Sequence, residues 1–226
     1  MLADLRQIQN EIKSHLAITK ADYASARAQA IVLDQMLGYV GDQIERSLFE
    51  ENKETSALSP QQFWFGLDIQ SLQTPYSEVV EMIGHFDPQP GDVWMDLGAA
   101  YGRVGVVLGF LRPMVQFVGY EYVPERVKEG NRIFKKWNLT QAELKHVDLA
   151  EDEFELRDAN LYFIYDFGSK NDIYKVLEKL RLIAMRRPIQ VVARGRGVRN
   201  WITMDFPWLG VVNPPKHFAH WTVFQS

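Results

Sequence analysis

Residues 92–122 read DVWMDLGAAYGRVGVVLGFLRPMVQFVGYEY, and this stretch decides how the rest of the chain is read. A short apolar run, Val93-Trp94-Met95, enters a turn, Asp96-Leu97-Gly98-Ala99-Ala100-Tyr101-Gly102. Arg103 and the apolar residues 104–111 are long enough for a helix, and a second apolar run over 114–120 ends on an acid, Glu121. Strand, glycine turn, helix, strand and acid make a βαβ unit with a nucleotide-type site at its first turn. Glycines let the backbone come close to a ligand, and the helix that follows offers it unpaired N–H groups. Glu121, with Tyr122 beside it, stands at a strand tip, where a carboxylate accepts hydrogen bonds from both hydroxyls of a ribose.

Two ligand classes use this layout. A dinucleotide site wants G-x-G-x-x-G, so that a pyrophosphate sits on the helix N-terminus. Here the glycines fall at 98, 102 and 105, with Ala100 in the middle place, which is a poor dinucleotide fingerprint. An S-adenosylmethionine (SAM) site wants an acid at the strand end followed by G-x-G-x-G. Residues 96–102 resemble that motif with one departure, Ala100, which the tight turn is expected to accept only at a negative φ.

The flanking sequence extends the unit. Thr74-Pro75-Tyr76-Ser77 starts a helix over 78–85, and Pro88, Pro90 and Gly91 end it before the first strand. After Glu121 come a helix over 124–137 with proline in its first turn, a strand over 144–147 ending at Asp148, and a strand over 161–165 ending at Asp166-Phe167-Gly168-Ser169. A helix over 172–185 and a strand over 189–193 ending at Arg194 follow. Residues 209–212 and 218–224, joined by Asn213-Pro214-Pro215-Lys216, read as an antiparallel hairpin. Before all of this, residues 2 to about 50 carry helical spacing and read as two helices. A polar connector over 52–59 and an aromatic cluster, Phe63-Trp64-Phe65-Gly66, would plug this appendage onto the core. The expected division is a helical extension over 1–58 and an α/β domain over 59–226. The extension serves as a structural cap, a substrate gate or an arm for self-association into a homo-oligomer.

Composition narrows the classes. The 226 residues are 46% hydrophobic and 24% charged, as in ordinary globular domains, and contain no cysteine, which excludes disulfides and thiolate metal sites. A net charge of −4 supplies no global field for nucleic acid, which is not favoured as a partner. No apolar run is long enough to span a bilayer and the first residues lack a signal-peptide core, so a membrane role is not expected and a cytoplasmic location is the default. His217 and His220 would face opposite sides of a strand, so no metal pair is expected.

Five β/α units closed by a hairpin resemble the class I, seven-stranded SAM-dependent methyltransferases over residues 74–226. The resemblance implies an α/β, doubly wound, mostly parallel seven-stranded sheet with a terminal antiparallel hairpin, preceded here by the helical appendage. It also implies SAM as cofactor and S-adenosyl-L-homocysteine as product. By the same resemblance Asp96 orients the methionine amino group, Gly98, Ala100, Tyr101 and Gly102 form the cofactor turn, Glu121 meets the ribose, and Tyr122 belongs to the cofactor site. Asp148 holds the adenine amine, Leu149 packs on its ring, and Asp166 with Phe167 takes the place of the motif after the fourth strand. The order of Thr74-Pro75-Tyr76, a helix, the DLG turn with Gly102-Arg103, and Gly119-Tyr120-Glu121 is similar to the seven-strand protein lysine methyltransferases. These include enzymes that modify mitochondrial ATP-synthase subunits and the histone-lysine enzymes outside the SET class. That branch lays Thr74 over the methionine end of the cofactor and makes a protein lysine amine the acceptor. Asp166 and Tyr76 are then the candidate catalytic residues, with Tyr76, Tyr101 and Phe167 as aromatic walls. Asp166-Phe167 departs from the asparagine form of the histone enzymes, and no Pro-Pro follows it, against a nucleobase amine. A small-molecule methyltransferase and a non-catalytic SAM-binding scaffold stay open. So does the segment 194–199, Arg194-Gly195-Arg196-Gly197-Val198-Arg199, as a holder of an acidic substrate or as a solvated loop.

Overall fold

The computed structural model describes residues 2–18, 22–52 and 67–226. Its sheet has seven strands: β1 (Val93–Leu97), β2 (Gln116–Glu121), β3 (Ala142–His146), β4 (Leu161–Tyr165), β5 (Gln190–Arg194), β6 (Lys216–His217) and β7 (Trp221–Gln225). Their spatial order is β3-β2-β1-β4-β5-β7-β6. The first five run parallel, and β7 is antiparallel to both β5 and β6. The chain reverses direction across the sheet between β1 and β4, which puts a crevice beyond the carboxyl ends of these strands.

Helices pack on both faces. The N-terminal part of the chain forms α1 (Leu2–Leu16), α2 (Tyr23–Leu37) and α3 (Gly41–Asn52), one helix more than the spacing predicts. The break between α2 and α3 is local: Gly38 ends α2 in the left-handed conformation, its N–H donating to the Asp34 and Gln35 carbonyls. Next come α4 (Ile69–Leu72), α5 (Tyr76–Phe86), α6 (Arg103–Leu111), α7 (Pro124–Lys136), α8 (Lys170–Ala184) and α9 (Arg196–Asp205). α7 starts with proline at its first position, and α8 with a capping box in which the side chains of Ser169 and Asp172 reciprocally accept backbone N–H groups. No helix of the described residues is long and apolar enough to cross a membrane.

Ile12, Leu16, Leu33 and Leu37 from the N-terminal helices join the same buried cluster as Val79, Trp94, Val107 and Phe117. The first two helices therefore share the core of one face of the sheet. The aromatic cluster at 63–66, read as their plug, lies outside the described residues.

Two expectations near the C-terminus are corrected. Residues 209–212 do not form a strand: Pro207–Gly210 is a 3-10 turn that buries Leu209 and leaves Val211 and Val212 exposed. Asn213-Pro214-Pro215 leads into β6, and the hairpin turns at residues 218–220 instead. The segment 194–199 is not a loop, because α9 begins at Arg196.

Candidate active site

One cavity of about 310 Å³ opens at the carboxyl edge of the sheet, beside β1, β2 and β4. Of the expected cofactor residues, Gly98, Ala100, Glu121, Tyr122, Asp148, Leu149, Asp166 and Phe167 line it. Thr74, Asp96, Tyr101 and Gly102 do not. Tyr120, Val123, Arg126, Tyr165 and Asp172 also line it, as do Leu67, Ser71 and Leu72 from around α4, and none of these is among the site residues expected from the sequence. They sit on a strand tip or within seven positions of one, or on or beside a short helix with no motif of its own, so spacing alone does not mark them.

The turn after β1 is tied to β2. Gly98 and Ala99 both donate their N–H to the Tyr120 carbonyl, at 3.0 and 2.9 Å. Gly98 has φ +90°, and a Cβ there would fall 2.7 Å from Cβ of Phe167, so only glycine lets the two turns approach. Ala100 does not have the negative φ that the sequence suggested. It sits at φ +46°, in the left-handed region that costs a residue with a Cβ about 1–2 kcal/mol. Its N–H donates to Oε2 of Glu121 at 2.8 Å, a charge-assisted bond inside a buried site that offsets this cost.

Glu121 is buried. Its Oε1 accepts from the Val123 N–H at 2.9 Å and lies 3.6 Å from Nη1 of Arg126. With Oε2 holding one N–H, the carboxylate is fixed in place and still has acceptor capacity toward the cavity. Asp148, half-buried, folds over its own loop by accepting the Ala150 N–H at 2.8 Å, with Leu149 buried beside it. Tyr122 lies on the lining with its ring 6.2 Å from that of His146.

Asp96 lies one residue inside the end of β1, buried, and its Oδ1 has no hydrogen-bond partner among the described residues. Burial first, and then the charge of Glu121, raise its carboxyl well above the ordinary carboxylate range. A lone acceptor of this kind is costly. Thr74 Oγ1 and the Gln73 side-chain amide are buried and unpartnered in the same sense.

Three expected site residues are drawn away from the cavity. Tyr76 is fully buried, its hydroxyl donating to Oδ1 of Asp34 at 2.7 Å while the Arg103 guanidinium lies 4.5 Å over its ring. Burial, then the charge of Asp34, push its hydroxyl well above the ordinary tyrosine range, so it remains a donor. Tyr101 is buried against Tyr39, with its hydroxyl 2.7 Å from Oε1 of Glu45, and walls nothing. The Thr74 carbonyl accepts from Nη1 of Arg103 at 3.1 Å.

Asp166 lies on the lining, but both its oxygens are engaged. Oδ1 accepts the Val198 N–H at 2.7 Å and Oδ2 the Gly197 N–H at 3.2 Å, so it caps α9 across the active edge. Gly195 turns the chain at φ +94°, where a Cβ would collide with the Asp166 carboxylate. Arg194 pairs with Glu78, Nε to Oε2 at 2.8 Å, and lies 4.3 Å over the Tyr165 ring. Its charge is therefore spent inside the fold. Among the described residues no three His, Cys, Asp or Glu side chains group to hold a metal.

No family model matches the chain, and no curated protein sequence matches it. Solved structures do. The fold is similar to that of a SAM-dependent O-methyltransferase from Thermotoga maritima, at 15% identity, with 68% of this chain and 65% of that one covered and a TM-score of 0.52. It is similar to the C-terminal domain of a precorrin-6Y C5,15-methyltransferase from Rhodobacter capsulatus, at 15% identity over 73% and 93% of the two chains, with a TM-score of 0.50. An RNA methyltransferase from Salinibacter ruber, solved with S-adenosyl-L-homocysteine, aligns at 23% identity over 68% and 91%, with a TM-score of 0.48. At these identities the likeness is one of fold: the chain has the seven-stranded, mostly parallel methyltransferase architecture closed by an antiparallel hairpin.

Proposed function

We propose that this protein is a SAM-dependent methyltransferase that binds its cofactor in the cavity beyond β1, β2 and β4, and that its acceptor is an amine, with a protein lysine side chain as the leading candidate. The observation that carries the reading is the placement of Glu121. A buried carboxylate, held by two backbone N–H groups and facing the cavity, stands at the second strand tip beside the glycine turn. Glu121 would receive the ribose hydroxyls, Asp148 the adenine amine, and Leu149 and Tyr122 the flanks of the base. The unpartnered Oδ1 of Asp96 suits the cationic amino group of a methionine moiety, reached through water or through the turn's backbone. SAM supplies an electrophilic methyl group, so the protein's task is alignment and exclusion of water more than acid–base chemistry.

The charge of the cavity supports an amine over a phosphate-bearing acceptor. Glu121, Asp148, Asp166 and Asp172 line it, and Arg126 is the one Arg or Lys among its described lining residues, shared between Glu45 and Glu121. An anionic cavity attracts an ammonium and repels a nucleic-acid backbone. Tyr165 and Phe167 supply aromatic surface at the same end. Asp166, bonded to α9 through both oxygens, serves in this reading to set the wall against which the amine docks. The same bonds favour a second reading, a SAM-binding protein without turnover, because they leave Asp166 little capacity to accept a proton.

Thermal scans test the cofactor: SAM and S-adenosylhomocysteine should raise the melting temperature and NAD should not. Methyl transfer from labelled SAM to native lysate then tests the acceptor. Label in protein bands that is lost on protease treatment supports a protein amine. Label in small molecules points to a small-molecule acceptor, and binding without label points to the second reading.

A further inference from the structure

A closed circuit of polar contacts joins the N-terminal helices to the cofactor turn. Glu45, on α3, is 4% exposed and grips one edge of the Arg126 guanidinium: Nε donates to Oε1 at 2.8 Å and Nη2 to Oε2 at 3.1 Å. Arg126, on α7, turns its other nitrogen, Nη1, toward Oε1 of Glu121 at 3.6 Å. Glu121 holds the Ala100 N–H through Oε2. The next residue, Tyr101, closes the ring by donating its hydroxyl to Oε1 of Glu45 at 2.7 Å. Glu45, Arg126, Glu121 and Tyr101 are all buried.

We propose that Glu45 is a positioning residue for the cofactor site, holding Arg126 off the Glu121 carboxylate and fixing the turn at 100–101, so that the N-terminal helical layer is part of the binding machinery. This rests on the reading of Glu121 as the acid that receives the ribose. The two carboxylates compete for Arg126. A guanidinium prefers a bidentate carboxylate, and two carboxylates flank this one. Glu45 takes the paired geometry and leaves Glu121 a single long contact. Without the Glu45 charge, Arg126 would pair fully with Glu121 and cover the oxygens that the ribose needs. The strained φ of Ala100 would lose support at the same time, because its neighbour Tyr101 would lose its anchor.

The test is a double-mutant cycle read by calorimetric titration with S-adenosylhomocysteine. Glu45→Gln, which keeps the shape and removes the charge, should weaken binding about tenfold, whereas in a Glu121→Ala background the same change should alter it less than about twofold. Leu177→Ala, a core truncation in α8, away from the N-terminal helices and the cavity lining, is the stability control: it should lower the melting temperature and leave affinity unchanged. Equal affinity of wild type and Glu45→Gln, or an equal loss in both backgrounds, overturns the proposal while leaving the methyltransferase reading standing. Failure of the wild type to bind S-adenosylhomocysteine overturns that reading first, and this inference with it. Should Glu45→Gln not fold, Tyr101→Phe removes one bond of the circuit and should weaken binding about threefold. Unchanged affinity there counts equally against the proposal.

Discussion

The turns after β1 and after β4 both end at the cavity and touch each other through Gly98 and Phe167, yet they are held in opposite ways. The first is anchored from upstream by buried charge. Asp34 on α2 receives Nη2 of Arg103 at 2.8 Å, the Gln70 amide at 2.6 Å and the Tyr76 hydroxyl, while Glu45 on α3 takes Arg126 and Tyr101. The Tyr39 hydroxyl adds a bond to the Tyr101 carbonyl at 3.0 Å. The second is anchored from downstream by backbone N–H groups: Asp166 caps α9, and Ser169 with Asp172 caps α8. A turn fastened by buried ion pairs is expensive to unfasten, because removing one partner strands a charge. A turn fastened by caps gives way at lower cost.

The largest effect should therefore come from the upstream anchor. Asp34→Ala leaves Arg103, 2% exposed at its side chain, without its carboxylate, and should cost about 3–5 kcal/mol of stability by denaturant unfolding. A loss below about 1 kcal/mol would mean that the two turns are held alike. Asp166→Ala should cost about 0.5–2 kcal/mol, the range of a lost helix cap, and leave S-adenosylhomocysteine affinity near the wild-type value. Loss of binding would place Asp166 in the cofactor shell instead.

A smaller effect shows as a slope. The Asp96 carboxyl is raised in the folded state, so between its unfolded and folded pKa values the native protein holds more protons than the unfolded chain. Stability must then fall as pH rises through that window, starting from the ordinary carboxylate range. Asp96→Asn should abolish this decline in denaturant midpoints measured without cofactor, and an unchanged slope would contradict the assignment. Smallest of all, Ala100→Gly relieves the left-handed φ but frees the unfolded chain, for a net change under about 1 kcal/mol. Large destabilisation there would mean that the Ala100 methyl, buried with Ile69 and Tyr101, contributes more than its backbone costs.

The same contrast explains what the sequence made legible. Strand tips, the glycine turn and Glu121 announce themselves by local pattern, so the first four strands and three acids of the cavity, Glu121, Asp148 and Asp166, follow from residues 92–166 read in order. Asp34 and Arg103 are 69 positions apart and Glu45 and Arg126 are 81 apart, and nothing local marks either pair. Tyr76 and Tyr101 therefore look like candidate cavity walls until their buried partners are seen. α9 was hidden for a related reason. Gly195 and Gly197 read as loop, and the cap that starts the helix comes from Asp166, in the turn after β4. The expected strand at 209–212 failed on a local signal, Pro207 and Gly210 closing a 3-10 turn around buried Leu209.

The measurement closest to the central claim is calorimetric titration of S-adenosylhomocysteine into wild type and Glu121→Ala, with NAD as the rival ligand. The wild type should bind S-adenosylhomocysteine and not NAD. Glu121→Ala should stay folded and lose about tenfold to a hundredfold in affinity, equivalent to about 1.5–3 kcal/mol for a charge-assisted pair of hydrogen bonds. Binding of NAD in place of S-adenosylhomocysteine, or equal affinity of the two proteins, would contradict the account.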